Sequence, residues 1–217
     1  MSSPPPVGNS VGIPAGHEAD LPLFPLGGVL FPGGLLHLRV FEARYLDLMS
    51  HCMRTRSPFG VVNLRQGSDV RGTADDEVRF DTTGVLAHLQ DVDAEQTGIL
   101  QVRCHGGSRF HLSAPRQRAD GLWLARAEPL PDDAPAEVPP ELAGAAKALG
   151  QAIQSLLAQD QHPFAPPFRL ADAGWVANRW CEILPISAAA KQRLMALDEP
   201  VLRLKLVDEY LRGKGVV

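Results

Sequence analysis

Between Leu21 and Met49 (LPLFPLGGVLFPGGLLHLRVFEARYLDLM) the chain switches hydrophobic period, and the switch restricts it to folds that run strands straight into a helix. Leu21, Leu23, Pro25 and Leu26 read as a short strand that its prolines confine to an edge or a bend. Gly27-Gly28 and Pro32-Gly33-Gly34 punctuate the stretch as turns, where positive φ costs glycine little. Leu36, Leu38 and Val40 alternate with Leu35, His37 and Arg39, the period of a half-buried strand. After Glu42 the apolar residues Tyr45, Leu48, Met49 and Cys52 recur three and four apart, which predicts an amphipathic helix. Glu42 at its start suits the positive end of the helix dipole.

Similar short strands with glycine punctuation continue to about residue 130, with hairpin turns expected at Asp91 to Gly98 and at Gly106-Gly107. Many short strands at this spacing favour a closed barrel, because closure hides strand edges. Composition then changes. Residues 131–140, rich in proline and acid, form a connector that can extend neither strand nor helix. Beyond it the periodicity is helical. Leu142, Ala146, Leu149, Ile153, Leu156 and Leu157 form one apolar stripe that ends before His162-Pro163. Asp172 is placed to cap a helix carrying Trp175, Val176, Trp180, Ile183 and Leu184, and Ser187 to cap another with Leu194 and Leu197. Pro200 opens a last helix that ends at Gly213. The fold class is therefore α+β in two parts: residues 21–130 a β-barrel with one short helix, and residues 141–217 a helical bundle. At 217 residues the chain buries roughly 70% of its unfolded surface, enough for a core without staples.

Residues 1–20, rich in Pro, Gly and Ser, read as a disordered leader, without the basic and apolar regions of a targeting signal. No apolar run reaches the ~18 residues of a membrane span. A net charge of −4 argues against a general nucleic-acid binder. Cys52, Cys104 and Cys181 are scattered and odd in number, as expected of reduced thiols in a cytoplasmic protein.

The order of motifs resembles the N-terminal, substrate-binding domain of Lon protease (ATP-dependent protease La). The opening stretch is similar to that family's P-L-F-P-L…L-F-P-G…F-E-x-R-Y pattern. Pro58 to Leu64 resembles its next strand, and Gly67-Ser68-Asp69-Val70 its G-x-E-V element, with Asp69 in place of Glu. Thr83 to Leu89, Gln101 to Phe110 and Gly121 to Leu130 resemble three further strands. Leu184-Pro185-Ile186-Ser187 followed by Lys191-Gln192-Arg193-Leu194 is similar to the L-P-L-S-x-x-x-K-Q-x-L motif of stand-alone bacterial relatives. The resemblance spans roughly residues 20 to 212. It implies a small six-stranded PUA-like barrel followed by the helical part, without the ATPase and protease modules, and a polypeptide-binding role.

The chemistry of catalysis is hard to place here. No G-x-x-x-x-G-K-[ST] phosphate cradle occurs, and the only Gly-Lys pair is Gly213-Lys214. Ser187 and Lys191, four apart, superficially resemble a serine–lysine dyad, but a dyad also needs a desolvated lysine and an oxyanion hole. Ser187 is better explained as a cap and Lys191 as a solvated residue. His51-Cys52 and Cys104-His105 suggest zinc, yet neighbours in a strand point to opposite faces, so no metal or other cofactor is assigned. Asp75-Asp76-Glu77 lacks the spacing of a calcium loop and reads as a solvated turn.

Binding remains. The aromatics Phe31, Phe41, Tyr45, Phe59, Phe110 and Trp123 are first of all core candidates. Phe31, on a Pro-Gly-Gly loop where a large ring is harder to bury, is the leading candidate for contact with a polypeptide. Trp123 is next; it shares a face with Ala125 and Ala127, while Leu122 and Leu124 take the other, so alternation leaves its direction open. Arg44, Arg103 and Arg109 can donate to peptide carbonyls or phosphate, although such arginines also serve structure. The expected function is thus non-enzymatic recognition of unfolded polypeptide, or docking of a protease or chaperone partner. The alternatives are RNA binding, which the acidic balance opposes, and peptidase activity only in trans with a separate ATP-dependent protease.

Overall fold

The computed structural model describes residues 20–66, 79–96 and 98–217. The expected leader (but for Asp20), the Gly67 to Val70 element and the acidic cluster Asp75-Asp76-Glu77 lie outside them. Among the described residues there are seven strands: β1 Leu21–Leu26, β2 Leu35–Val40, β3 Phe59–Gln66, β4 Arg79–Phe80, β5 Thr83–Gln96, β6 Ile99–Gln117 and β7 Trp123–Pro129. Their pairings run β1-β7-β6-β5-β3 and return to β1 through a parallel β1–β3 pair. The ring thus closes over five strands. β2 attaches to β6 and β4 to β3 outside it, where six ring strands were expected.

Both prolines of β1 sit inside this ring, and the pairing explains why they are tolerated. β7 pairs residues Leu21 to Leu23 and β3 pairs Leu23 to Leu26, so Pro22 and Pro25 each have a strand on one side only. A missing N–H is harmless where no partner needs it. Alternate residues of the five ring strands point inward: Leu21, Leu23, Val62, Leu86, Phe110, Leu112 and Ala125 form one buried cluster. Gly60 and Gly84 leave space for Phe110, whose Cζ would lie 2.7 and 2.6 Å from a Cβ at those positions.

The hairpin expected within Asp91 to Gly98 is present but confined to the end of that span: β5 continues through Asp91 to Gln96, which pairs with Ile99, and Gly98 takes a positive φ in the turn. The turn expected at Gly106-Gly107 is strand instead, because β6 passes straight through it. At the glycine pair β6 changes partner, from β2 over residues 100–105 to β7 from Phe110 onward. The glycines are needed because another backbone comes close. Gly106 N–H donates to the Gly34 carbonyl and its own carbonyl accepts from Gly33 N–H, both at 2.8 Å. A Cβ on Gly106 would fall on the Phe31 carbonyl oxygen. The Pro32-Gly33-Gly34 loop is therefore stitched onto the sheet.

Helix α1, Ala43–Thr55, buries Tyr45, Leu48, Met49 and Cys52, the residues its period selects. After the connector and a short 3-10 turn at Pro140–Leu142 come α2 Ala143–Leu157, α3 Ala173–Ile183, α4 Ala188–Met195 and α5 Pro200–Gly213. Asp172 Oδ1 accepts from Trp175 N–H at 3.0 Å and Ser187 Oγ from Ala190 N–H at 3.2 Å, so both expected caps form. α3 is buried on nearly all sides, and α2, α4 and α5 each touch it. One apolar cluster runs from Phe24, Phe31 and Phe59 to Leu149, Trp180 and Leu204, joining the strand half to the helical half. Among the described residues no helix is long and apolar enough to cross a membrane.

Candidate functional site

Four of the five proposed binding residues fall outside any common site. Phe31 is fully buried, and the reason lies far along the chain. Arg179 of α3, itself 1% exposed, donates to the carbonyls of Pro32 and Gly33 and to Glu182 Oε1 at 2.7 Å. Its guanidinium also sits 5.8 Å from the ring centres of Phe164 and Trp175. Held from below, the Pro-Gly-Gly loop turns Phe31 into the core, which corrects its reading as an exposed contact. Arg44 is buried as well; its Nη1 donates to the Gly121 carbonyl at 2.7 Å and its Nη2 to Glu42 at 2.8 Å. Arg109 is 2% exposed and donates to the carbonyls of Leu197 and Pro131 at 2.9 and 3.1 Å. Both arginines are fasteners within the fold rather than free hydrogen-bond donors. Arg103 is exposed, within 3.5 Å of Asp91.

Trp123 is different. With Ala125 and Ala127 it faces the inside of the ring, while Leu122 and Leu124 pack into the larger core. It stands at one end of the barrel, edge-on to Phe80 of β4 with ring centres 5.3 Å apart and planes at 81°. The two rings line a concavity of about 790 Å³ with Leu112, Thr82, Arg65 and Arg79. Arg65 lies 3.3 Å from Asp81, which also accepts from Asn63 Nδ2 at 2.8 Å. The indole N–H of Trp123 is shielded from solvent and has no hydrogen-bond partner. A donor with essentially no exposed surface is out of reach of a ligand, so what the concavity offers is the two rings and the arginines beside them. Apolar walls with cations at the rim suit a short extended segment with an apolar side chain and a carboxylate.

Sequence reasoning missed Phe80 because a two-residue strand carries no readable period. Phe41, grouped above with core candidates, is 61% exposed at the end of β2. A lone apolar residue between Val40 and Glu42 is the one signal for it.

Burial pushes the thiols of Cys104 and Cys181 up to about 12 and raises that of Cys52, so all three stay protonated at neutral pH. Burial likewise lowers His88 and His105. Glu182 is raised to about 7 by burial, against the pull of Arg179. Ser187 Oγ is used as a cap, and Lys191 Nζ donates to the Glu182 carbonyl at 3.0 Å. Among the described residues no group of three or more His, Cys, Asp or Glu is arranged to hold a metal ion.

The model for the ATP-dependent protease La (LON) substrate-binding domain matches residues 20–213. The chain belongs to this family. A crystal structure titled as a Lon N-terminal domain protein from Xanthomonas campestris is similar at 32% identity and a TM-score of 0.66, over 87% of this chain and 96% of that one. The N-terminal domain of a Mycobacterium avium complex Lon protease shares the fold, with 15% identity and a TM-score of 0.61 over 88% and 97% of the two chains. Comparison with curated proteins returned no match. Membership in a substrate-binding domain family supports a polypeptide-binding role, and the barrel mouth presents two aromatic rings in an open concavity.

Proposed function

We propose that this chain is a polypeptide-binding module without chemistry of its own, and that the barrel mouth around Trp123 and Phe80 contacts unfolded client segments. The observation that carries the reading is the edge-on pair of rings, Trp123 and Phe80, lining an open concavity with Arg65 and Arg79 beside them. An apolar client side chain would cover the two rings. Docking of a protease or chaperone partner through the same surface belongs to this reading, as does action without ATP in the cytoplasm. So does the finer architecture: a PUA-like barrel over residues 21–130 joined by residues 131–140 to a helical bundle over 141–217.

The test is fluorescence anisotropy of a labelled, permanently unfolded polypeptide titrated with the purified protein at low and high salt, without nucleotide. Saturable binding that survives high salt and weakens in Trp123→Ala supports the reading. No binding by folded protein overturns it. Binding of a labelled RNA that falls steeply with salt, through counterion release, would favour the RNA alternative.

A further inference from the structure

The strand β2 (Leu35–Val40) pairs with β6 on one side and, among the described residues, with nothing on the other. Its register shows which of its main-chain groups are unused. Gly106 exchanges bonds with the Gly33-Gly34 backbone, so its N–H and C=O face β2. In an antiparallel ladder the direction alternates along the strand. Cys104, Val102 and Leu100 therefore also face β2 and bond to their partners Leu36, Leu38 and Val40. The N–H and C=O groups of Leu35, His37 and Arg39 point away from the sheet, toward no partner among the described residues.

That free edge borders a concavity of about 550 Å³, lined by Leu35 and His37 together with Phe164, Ile183, Glu182 and Lys191. An unpaired row of donors and acceptors beside an open hollow of mixed polarity is an arrangement that accepts an added strand.

We propose that β2 is a second contact line, at which an extended stretch of unfolded polypeptide adds to the sheet through main-chain hydrogen bonds to Leu35, His37 and Arg39. The inference rests on the polypeptide-binding reading above and adds a separate site to it. Main-chain pairing recognises the unfolded state itself, because a folded protein has already paired most of its N–H and C=O groups. It also carries little sequence preference, since every residue but proline offers the same two groups. The side chains modulate it. His37 and Arg39 are exposed on the strand, while in the adjoining hollow Lys191 and Glu182 offset each other, so it is Arg39 that favours acidic and neutral segments over basic ones.

Proline tests the edge selectively. At residue 37 it removes an N–H that faces solvent, leaves the ladder to β6 intact, and sets its ring in the path of an incoming strand. The probe is a fluorescein-labelled, acidic, unstructured peptide of about twenty residues, used alongside the same peptide with alternate backbone amides N-methylated. The expected results are a loss of affinity of about tenfold in His37→Pro, near wild-type binding in His37→Ala, and a similar loss for the N-methylated peptide. Circular dichroism checks the fold of each variant; should His37→Pro fail to fold, the methylated peptide decides alone. Equal binding of both peptides, or of folded His37→Pro and His37→Ala, overturns the edge while the barrel mouth stands, with Trp123→Ala still reporting on it. A concentration-dependent dimer lost in His37→Pro would assign the edge to a second copy and overturn the proposal. Absence of binding by the wild type would overturn both sites at once.

Discussion

Replacing Gly106 with alanine separates two explanations for the Gly106-Gly107 pair. If glycine serves there only as a soft residue, alanine stiffens the unfolded chain and stabilises the protein by about 0.4–1 kcal/mol. The structure requires the opposite. The new Cβ lands on the Phe31 carbonyl oxygen, which belongs to backbone anchored by a buried ring and by Arg179. To make room the loop has to withdraw, stretching both 2.8 Å bonds between Gly106 and the Gly33-Gly34 backbone. Crowding in a packed interior costs about 1–3 kcal/mol, and each hydrogen bond adds about 1 kcal/mol. The sum is roughly 3–5 kcal/mol, or a drop in melting temperature on the order of 10 °C for a chain of this size. Gly107→Ala is the control. Its Cβ crowds the His88 imidazole, 2.6 Å from Nε2, and meets the Leu86 carbonyl oxygen only at an ordinary 3.4 Å; a half-buried side chain can swing aside, so the cost should stay near 1 kcal/mol or below. Urea denaturation of the three proteins with matched m-values provides the comparison. Equal effects of the two substitutions, or a gain in Gly106→Ala, would refute the close-approach argument.

Phe31→Ala should cost about 3–5 kcal/mol by opening a cavity in the core, whereas Phe41→Ala should stay within about 0.5 kcal/mol; the reverse order in urea melts would contradict the placement of these rings. For Glu182 the folded value of about 7 lies above the unfolded one, so the folded state favours the protonated form. Its stability contribution is complete below about pH 4.5 and is lost as pH rises toward 7. Glu182→Gln should accordingly gain stability relative to wild type between pH 4.5 and 8. A relative loss over that window would show the ion pair with Arg179 outweighing burial. Cys104 and Cys181 should resist a maleimide at pH 7.5 in the native protein and react once it is denatured; rapid native labelling would contradict their buried, protonated state.

Features set by near neighbours were legible in the sequence. The period change after Glu42, the caps at Asp172 and Ser187 and the proline opening α5 all involve residues within one turn of each other, and each formed as read. What failed depended on distant partners. Phe31 looked exposed because the arginine that pulls its loop inward is supplied by α3, more than a hundred residues later. Gly106-Gly107 looked like a turn because glycine is equally suited to positive φ and to close backbone approach, and only the position of the Phe31 carbonyl tells them apart. Arg44 and Arg109 looked available because the carbonyls of Gly121, Pro131 and Leu197 that occupy them come from other segments. Trp123 was named from the sequence, but its partner Phe80 belongs to a strand too short to leave a pattern.

If unfolded polypeptide is held at the barrel mouth, with the edge of β2 as a second line, hydrogen–deuterium exchange with and without a saturating, permanently unfolded polypeptide will show new protection over residues 79–82, 112–115 and 123, and over residues 35–39. Protection confined to the exposed Leu202 and Leu206 side of α5, or none despite measured binding, would contradict it.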